Sequence, residues 1–448
     1  MVLVFRISVS SLCDYNRLNS SSRSLLALML ISVLALSGIF TFLVVLNPKQ
    51  VSAQDQEIVN NYEEIKYRLL PKMVMFDLPS KQMIEANRSL VGDDPFKQLL
   101  AQADYYLTKK PDSVMEKKQI PSSGDKHDFL SLSPYYWPDA TKPNGLPYIY
   151  RDGERNPEVN SIPDGRNMAE MIRRVKILSV AYYFTDNILY ASKASELLRV
   201  WFLNSNTHMN PNLQHSELIL GKNSGSHSGI IAGIYFPDLI DAIGLIQDSL
   251  FWTEHDQQGI ELWFDKYLEW LLNSDFGKKE SRTLNNHRTW FDVQVSSIAL
   301  FLNKTEITRD ILKNNIDKLI GAKIQRDGTQ PFEIHRRTSL DYYIFDLLAF
   351  FNLAKIGDHI GFDLWDYKTR QGSGLQKGLD YLLPYALGKK TWPHEQIRPI
   401  DKGKLMDLLC QATIHYGGNE TYKEAYKSIH RQNVTEKIDN LIYGCITA

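Results

Sequence analysis

Residues 167–185 read NMAEMIRRVKILSVAYYFT, and their spacing decides the fold class. Apolar side chains recur at Met168, Ile172, Val175, Leu178 and Tyr182, the three-to-four-residue step of one helical face. A short turn at Asp186 leads into ILYASKASELLRVWFLN, with Ala191, Ala194, Leu198 and Trp201 along one side. A later stretch, GIELWFDKYLEWLLNS at 259–274, has the same cadence. Further helical periods fall near 230–248, 286–303, 307–321, 338–356, 375–387 and 404–416, whereas alternation with period two is scarce. Repeated helical hairpins with short turns predict an all-α chain, a curved array or (α/α)n toroid.

Upstream, residues 54–120 also read as amphipathic helix, with Leu69, Leu70, Leu99, Leu100, Tyr105 and Tyr106 as apolar markers. Residues 121–165 break the pattern and are rich in Pro, Gly, Asp and aromatic side chains. A connection this long inside a compact domain is either functional or disordered, and its aromatics favour an ordered loop over a cleft.

The first residues belong to a different class. Residues 25–46 contain no charge, and at 1.5 Å per residue they reach about 33 Å, enough to cross a bilayer. Arg6, Arg17 and Arg23 precede them, which predicts a cytoplasmic N-terminus. Val51-Ser52-Ala53 before Gln54 has the small residues of a signal-cleavage site. Residues 1–53 therefore read as a signal peptide or an N-terminal membrane anchor. Either one places residues 54–448, a single domain, outside the cytoplasm: secreted, periplasmic or anchored.

The whole chain has 448 residues, 43% of them hydrophobic, and a net charge of −1. That is enough apolar material for a large core, and the composition excludes a disordered or collagen-like chain. The charge balance argues against a nucleic-acid partner of the basic-surface kind, but leaves room for an anionic ligand in a local basic pocket. Cys410 and Cys445 follow the apolar run and could pair in an oxidising compartment, which spacing alone does not decide. Sequons occur at Asn87, Asn303, Asn419 and Asn433. No HExxH, CxxC, Walker A, GxGxxG or GxSxG motif occurs, so neither a metal nor a cofactor is expected.

Three clusters carry chemistry. Asn285-Asn286-His287 opens an apolar helix, where two carboxamides and an imidazole can hold an anion. The plainer reading is that an asparagine caps the helix and the histidine packs. Pro331 to Tyr343 (PFEIHRRTSLDYY) sets two arginines and two tyrosines at the start of another helix, which also suits a solvated basic face above core tyrosines. Tyr135-Tyr136-Trp137-Pro138 offers faces for stacking on sugars, or anchors for the loop itself.

At these places the sequence resembles the alginate-lyase-like family of polysaccharide lyases. The resemblance runs from about Ser113 to Trp365. It rests on SGDKHDFLSLSPYYWPD (123–139), GLPYIYRDGERNPE (145–158), WFLNSNTHMNPNL (201–213), NNHRTWFDVQ (285–294), DGTQPFEIHRRTSLDYYIFDL (327–347) and DLW (363–365), in order. It implies an (α/α) toroid, eliminative cleavage of a uronate polysaccharide such as alginate, and catalytic positions at Asn286, His287, Arg336 and Tyr342. The register between Arg336 and Arg337, and between Tyr342 and Tyr343, stays open by one. Gly225-Ser226-His227-Ser228-Gly229 stands where the family often has a Gly-Arg-Gly-like loop, which bears on substrate preference.

Elimination removes the C5 proton of a uronate and expels the 4-linked sugar. Asn286, Arg336 and protonated His287 would neutralise the uronate carboxylate. Tyr342 would be the acid, and the base too where both lie on one face, with His287 the base for the opposite stereochemistry. A tyrosine base needs positive charge nearby to lower its pKa, and Arg336 is the candidate. Tyr135, Tyr136 and Trp137 are expected at a stacking subsite. Lys126, His127, Arg151, His227 and Arg337 are expected at substrate carboxylates. The alternatives are a lyase for another polyuronate such as glucuronan, a toroid glycoside hydrolase, or a non-catalytic glycan-binding protein. The residues after about 390 read as helical closure without a functional role.

Overall fold

The computed structural model describes residues 73–78, 94–417, 419–432 and 437–444. The apolar run at 25–46, the cleavage site, Asn87, Asn433 and Cys445 lie outside them. Residues 71–448 group into one compact unit.

Its helices follow the sequence periods closely. In chain order they are α1 (Asp94–Leu107), α2 (Asp164–Thr185), α3 (Ile188–Leu198), α4 (Phe236–Ile246), α5 (Glu254–Asn273), α6 (Asp275–Glu280) and α7 (Asn286–Phe301). Then come α8 (Thr305–Arg309), α9 (Ile316–Lys323), α10 (Ser339–His359), α11 (Leu375–Ala386), α12 (Lys402–His415), α13 (Glu420–Gln432) and α14 (Lys437–Ile442). Local chemistry marks several boundaries. Asp186 ends α2 in the left-handed conformation, φ 54°, and the Asn187 side chain then caps α3. Thr253 and Asp256 form a capping box at the start of α5.

Helices α2, α4, α7, α10 and α12 pack each against the next, while α14 lies on α1 and α1 on α2. This succession buries one continuous core. Phe202, Phe236, Trp263, Phe264 and Tyr267 meet there mostly edge to face. Cys410, in α12, is buried and disulfide-bonded.

Two stretches differ from expectation. Residues 73–78 are not helical: the N–H groups of Val74, Met75 and Phe76 all donate to the Asp241 carboxylate in α4, at 2.6 to 2.9 Å. Backbone donors spent on a carboxylate are not available to a helix. Of the helix expected across 54–120, α1 is present among the described residues, and residues 114–116 form only a 3₁₀ turn. The long loop at 121–165 is ordered, as its aromatics suggested. Strand β1 (Leu130–Leu132) pairs in parallel with β4 (His215–Leu218), and β2 (Tyr136–Trp137) pairs antiparallel with β3 (Ile149–Tyr150).

Candidate active site

The start of α7 builds one wall of a cleft. Asn285 precedes the helix, yet its side chain makes no capping bond and its buried Oδ1 has no partner. The cap comes from another segment. The Glu333 carboxylate accepts the backbone N–H of Asn286 at 2.6 Å and its Nδ2 at 2.8 Å. An asparagine cap is therefore the wrong reading; a buried carboxylate fixes Asn286 and suits the positive end of the helix. One Nδ2 hydrogen remains for a ligand. Behind this wall lies a buried group of Lys323, Asp346 and Thr289, with Lys323 and Asp346 2.8 Å apart. Burial and the Asp346 charge push the Glu333 carboxyl above its ordinary range.

His287 is the next residue. Its Nδ1 lies 2.6 Å from Oε1 of Glu280, at the end of α6, while His227 Nδ1 lies 2.8 Å from Oε2 of the same carboxylate. Burial lowers the His287 pKa, but the Glu280 bond and the charges of Glu280, Glu217 and Glu333 outweigh it and raise it overall. Burial acts to raise the Glu280 pKa, and the two histidines bring it below its ordinary value. Glu217 lines the cleft beside them, with φ +52°, a left-handed backbone rare outside glycine. Its carboxylate accepts Ser228 Oγ at 2.5 Å, and burial raises its pKa.

The opposite wall comes from α10 and the aromatic loop. Tyr342 Oη donates to Tyr135 Oη at 2.9 Å. The Arg336 guanidinium lies over the Tyr342 ring, 3.7 Å from its centre. Arg336 is itself held by Asp152, Nη2 to Oδ1 at 2.6 Å and Nε to Oδ1 at 3.0 Å. The turn after Asp152 requires a glycine: Gly153 has φ +72°, and a Cβ there would come within 3.1 Å of Ile397 Cδ1. The expectation that Arg336 lowers the Tyr342 pKa is overturned in balance. Burial raises it well above the ordinary tyrosine value, and the opposing pull of Arg336 is smaller. Tyr342 therefore keeps its proton at neutral pH.

The structure places the neighbouring residues of each pair differently. Tyr343 is fully buried and donates to the carbonyls of Gly328 and Gly378, so it belongs to the core. Tyr342 lines the cleft. Arg337 points elsewhere, tied to Glu154 at 2.6 Å and Glu395 at 3.0 Å. The cleft itself has a volume of about 200 Å³, and Asn286, His287, Tyr135 and Tyr342 all line it.

Several expected substrate contacts are absent from that lining. Tyr136 packs on Tyr150 with Lys222 over its ring, and Trp137 Nε1 donates to the Glu154 carbonyl with Arg151 over its ring. These side chains brace the β2–β3 hairpin, which presents Tyr135. His127 stacks on His208, with its Nδ1 2.6 Å from the His208 carbonyl oxygen. Neither Lys126, His127, Arg151 nor Arg337 is among the lining residues, nor is Arg336, expected at the uronate carboxylate, because Asp152 and the Tyr342 ring take up its guanidinium. His227 reaches the site only through Glu280. Sequence reasoning assigned no role to Glu280, Glu217, Arg398 and Lys404, single acids and bases with no motif around them, nor to Glu333 and Asp152, which stand inside quoted motifs but whose partners are set only by the fold. Among the described residues no group of three or more His, Cys, Asp or Glu side chains could hold a metal ion.

Comparison with known proteins fits this architecture. The family model described as "Alginate lyase" matches residues 113–392. An alginate lyase from Bacteroides ovatus is 34% identical, with a TM-score of 0.78 over 83% of this chain and 99% of its own. An alginate lyase from Sphingomonas species A1 is 14% identical, with a TM-score of 0.46 over 75% of this chain and 92% of its own. No curated protein matches the sequence. The all-α toroid and the family match together define a polysaccharide lyase, an enzyme that cleaves an anionic, uronate-containing polysaccharide by β-elimination. The chain belongs to the alginate lyase family.

Proposed function

We propose that this enzyme depolymerises alginate, with Asn286, His287 and Tyr342 at the reacting uronate and Arg336 behind Tyr342. The observation that carries the reading is the placement of Asn286 and His287 in the same cleft as Tyr342. Protonated His287 and the remaining Nδ2 hydrogen of Asn286 neutralise the uronate carboxylate and the enolate-like charge that spreads onto it. In one concerted step the C4–O bond breaks as the Tyr342 hydroxyl gives its proton to the departing oxygen, and the phenolate oxygen so formed takes the C5 proton as the C4–C5 double bond forms. Arg336, pinned by Asp152 above the Tyr342 ring, acts on the phenolate formed in passing rather than on the substrate. Tyr135 orients the Tyr342 hydroxyl.

Incubation with alginate should generate unsaturated ends, read as the ultraviolet absorbance of the new conjugated double bond. Saturated reducing ends alone would mean hydrolysis, and binding without any product would mean a glycan-binding protein. A parallel panel of glucuronan and other polyuronates separates alginate from its alternatives.

The N-terminal apolar run supports an extracytoplasmic enzyme, secreted, periplasmic or anchored in the membrane. Fractionation of expressing cells, with the N-terminus of the recovered protein sequenced, tests this. A soluble cytoplasmic enzyme that retains residues 1–53 would defeat it.

A further inference from the structure

The family match ends at residue 392, yet two cations beyond it line the cleft: Arg398, and Lys404 in α12. We propose that Arg398 and Lys404 form a second carboxylate subsite, which holds the uronate next to the one undergoing elimination. This deepens the lyase reading and rests on it.

The argument is one of unspent charge. Every sugar of a polyuronate carries a carboxylate, so a cleft that holds two sugars needs two anion sites. The Asn286–His287 wall provides one. Arg336 cannot provide the other, because Asp152 holds it through several hydrogen bonds and its face lies on Tyr342. Arg337 is spent on Glu154 and Glu395 outside the cleft. Among the described residues Arg398 gives only Nε to Asp341, at 3.1 Å, and its side chain is 52% exposed. The Asp341 carboxylate is also served by Gln396 Nε2 and the Asp401 N–H, so the arginine is not needed to satisfy it. Lys404 has Asp401 at 3.7 Å, both side chains partly exposed, and its ammonium lies 4.8 Å from the centre of the Phe345 ring. A carboxylate placed between these two cations gains charge-assisted hydrogen bonds without breaking a buried pair. Asp341, next to Tyr342 in the chain, ties the subsite to the reacting hydroxyl.

The test is binding of an alginate tetrasaccharide to the full chain carrying Tyr342→Phe, with Arg398→Gln, Lys404→Gln or both added. Each single change should weaken binding about tenfold and the double change further, in line with one charge-assisted contact each. Lys404→Arg should restore most of the affinity. In the active enzyme the same changes should raise KM while leaving kcat within about threefold, which an unfolded or misassembled cleft would not do. Unchanged affinity in the double variant, or a loss in kcat with KM unchanged, overturns the subsite. Formation of unsaturated ends by the unmodified enzyme is scored separately, so failure of the lyase reading is distinguishable from failure of this one.

Discussion

The two walls of the cleft both favour the protonated form of their titrating side chain, by different means. At the start of α7, buried carboxylates surround the donors: Glu333 fixes Asn286, and Glu280 holds His287 and His227. The acids favour the charged imidazole. At the start of α10, a cation lies against the phenol, yet burial dominates and Tyr342 stays neutral. The difference lies in which influence wins. The Glu280 bond and the neighbouring carboxylates outweigh the burial of His287, whereas the pull of Arg336 on Tyr342 is smaller than the burial it opposes.

The largest expected effect breaks the second wall. Tyr342→Phe should lower kcat by about 10³-fold or more, in the range of a lost acid–base group, with alginate binding retained. Tyr343→Phe is its contrast: it should leave kcat near normal but cost about 1–3 kcal/mol of stability, since two buried carbonyls lose their donor. Full activity in Tyr342→Phe, measured as unsaturated product, would undo the assignment.

Next comes the first wall. Asn286→Ala should lower kcat/KM by about 10²-fold, the usual effect of removing one preorganised donor. Glu333→Gln should show a weaker form of the same loss, because the helix start loses its anionic cap. Kinetics of the two variants side by side check whether Glu333 acts through Asn286.

A smaller effect sharpens the comparison through pH. Glu280→Gln removes the main influence that raises the His287 pKa, so the alkaline limb of the kcat/KM profile should move to lower pH. An unmoved limb would show that His287 does not act as the cation. The same pair sets a stability window. His287 is raised above its ordinary 6.5, so its contribution is complete below that value and is lost as pH rises through the folded value. Glu280 is lowered from 4.5, so its contribution is present above that value and is lost as pH falls through the folded one. Thermal unfolding followed across pH should show a plateau between these limits, and Glu280→Gln should flatten it.

Much of this was legible in the chain itself. The period near 3.6 at 167–185, 259–274 and 338–356 placed helices that the structure has, because each must bury an apolar stripe whatever its neighbours are. The paired motifs at 285–294 and 327–347 located both walls of the cleft. The aromatic run at 135–137 was legible as a functional loop, but not which ring faces the cleft: strand pairing aims Tyr135 inward while Tyr136 and Trp137 brace the hairpin.

The sequence by itself determined the helical class, the family and the chemically active residue types, since periodicity and motif order are properties of the chain. Only the tertiary structure decided which neighbour lies at the cleft. Tyr342 rather than Tyr343 and Arg336 rather than Arg337 follow from which side of each turn is buried. Tertiary contact also brought Glu280, Glu333, Asp152, Arg398 and Lys404 to the site from distant positions. Charge acts through distance and dielectric in space, so a lone acid or base carries no sign in the sequence of the group it will meet.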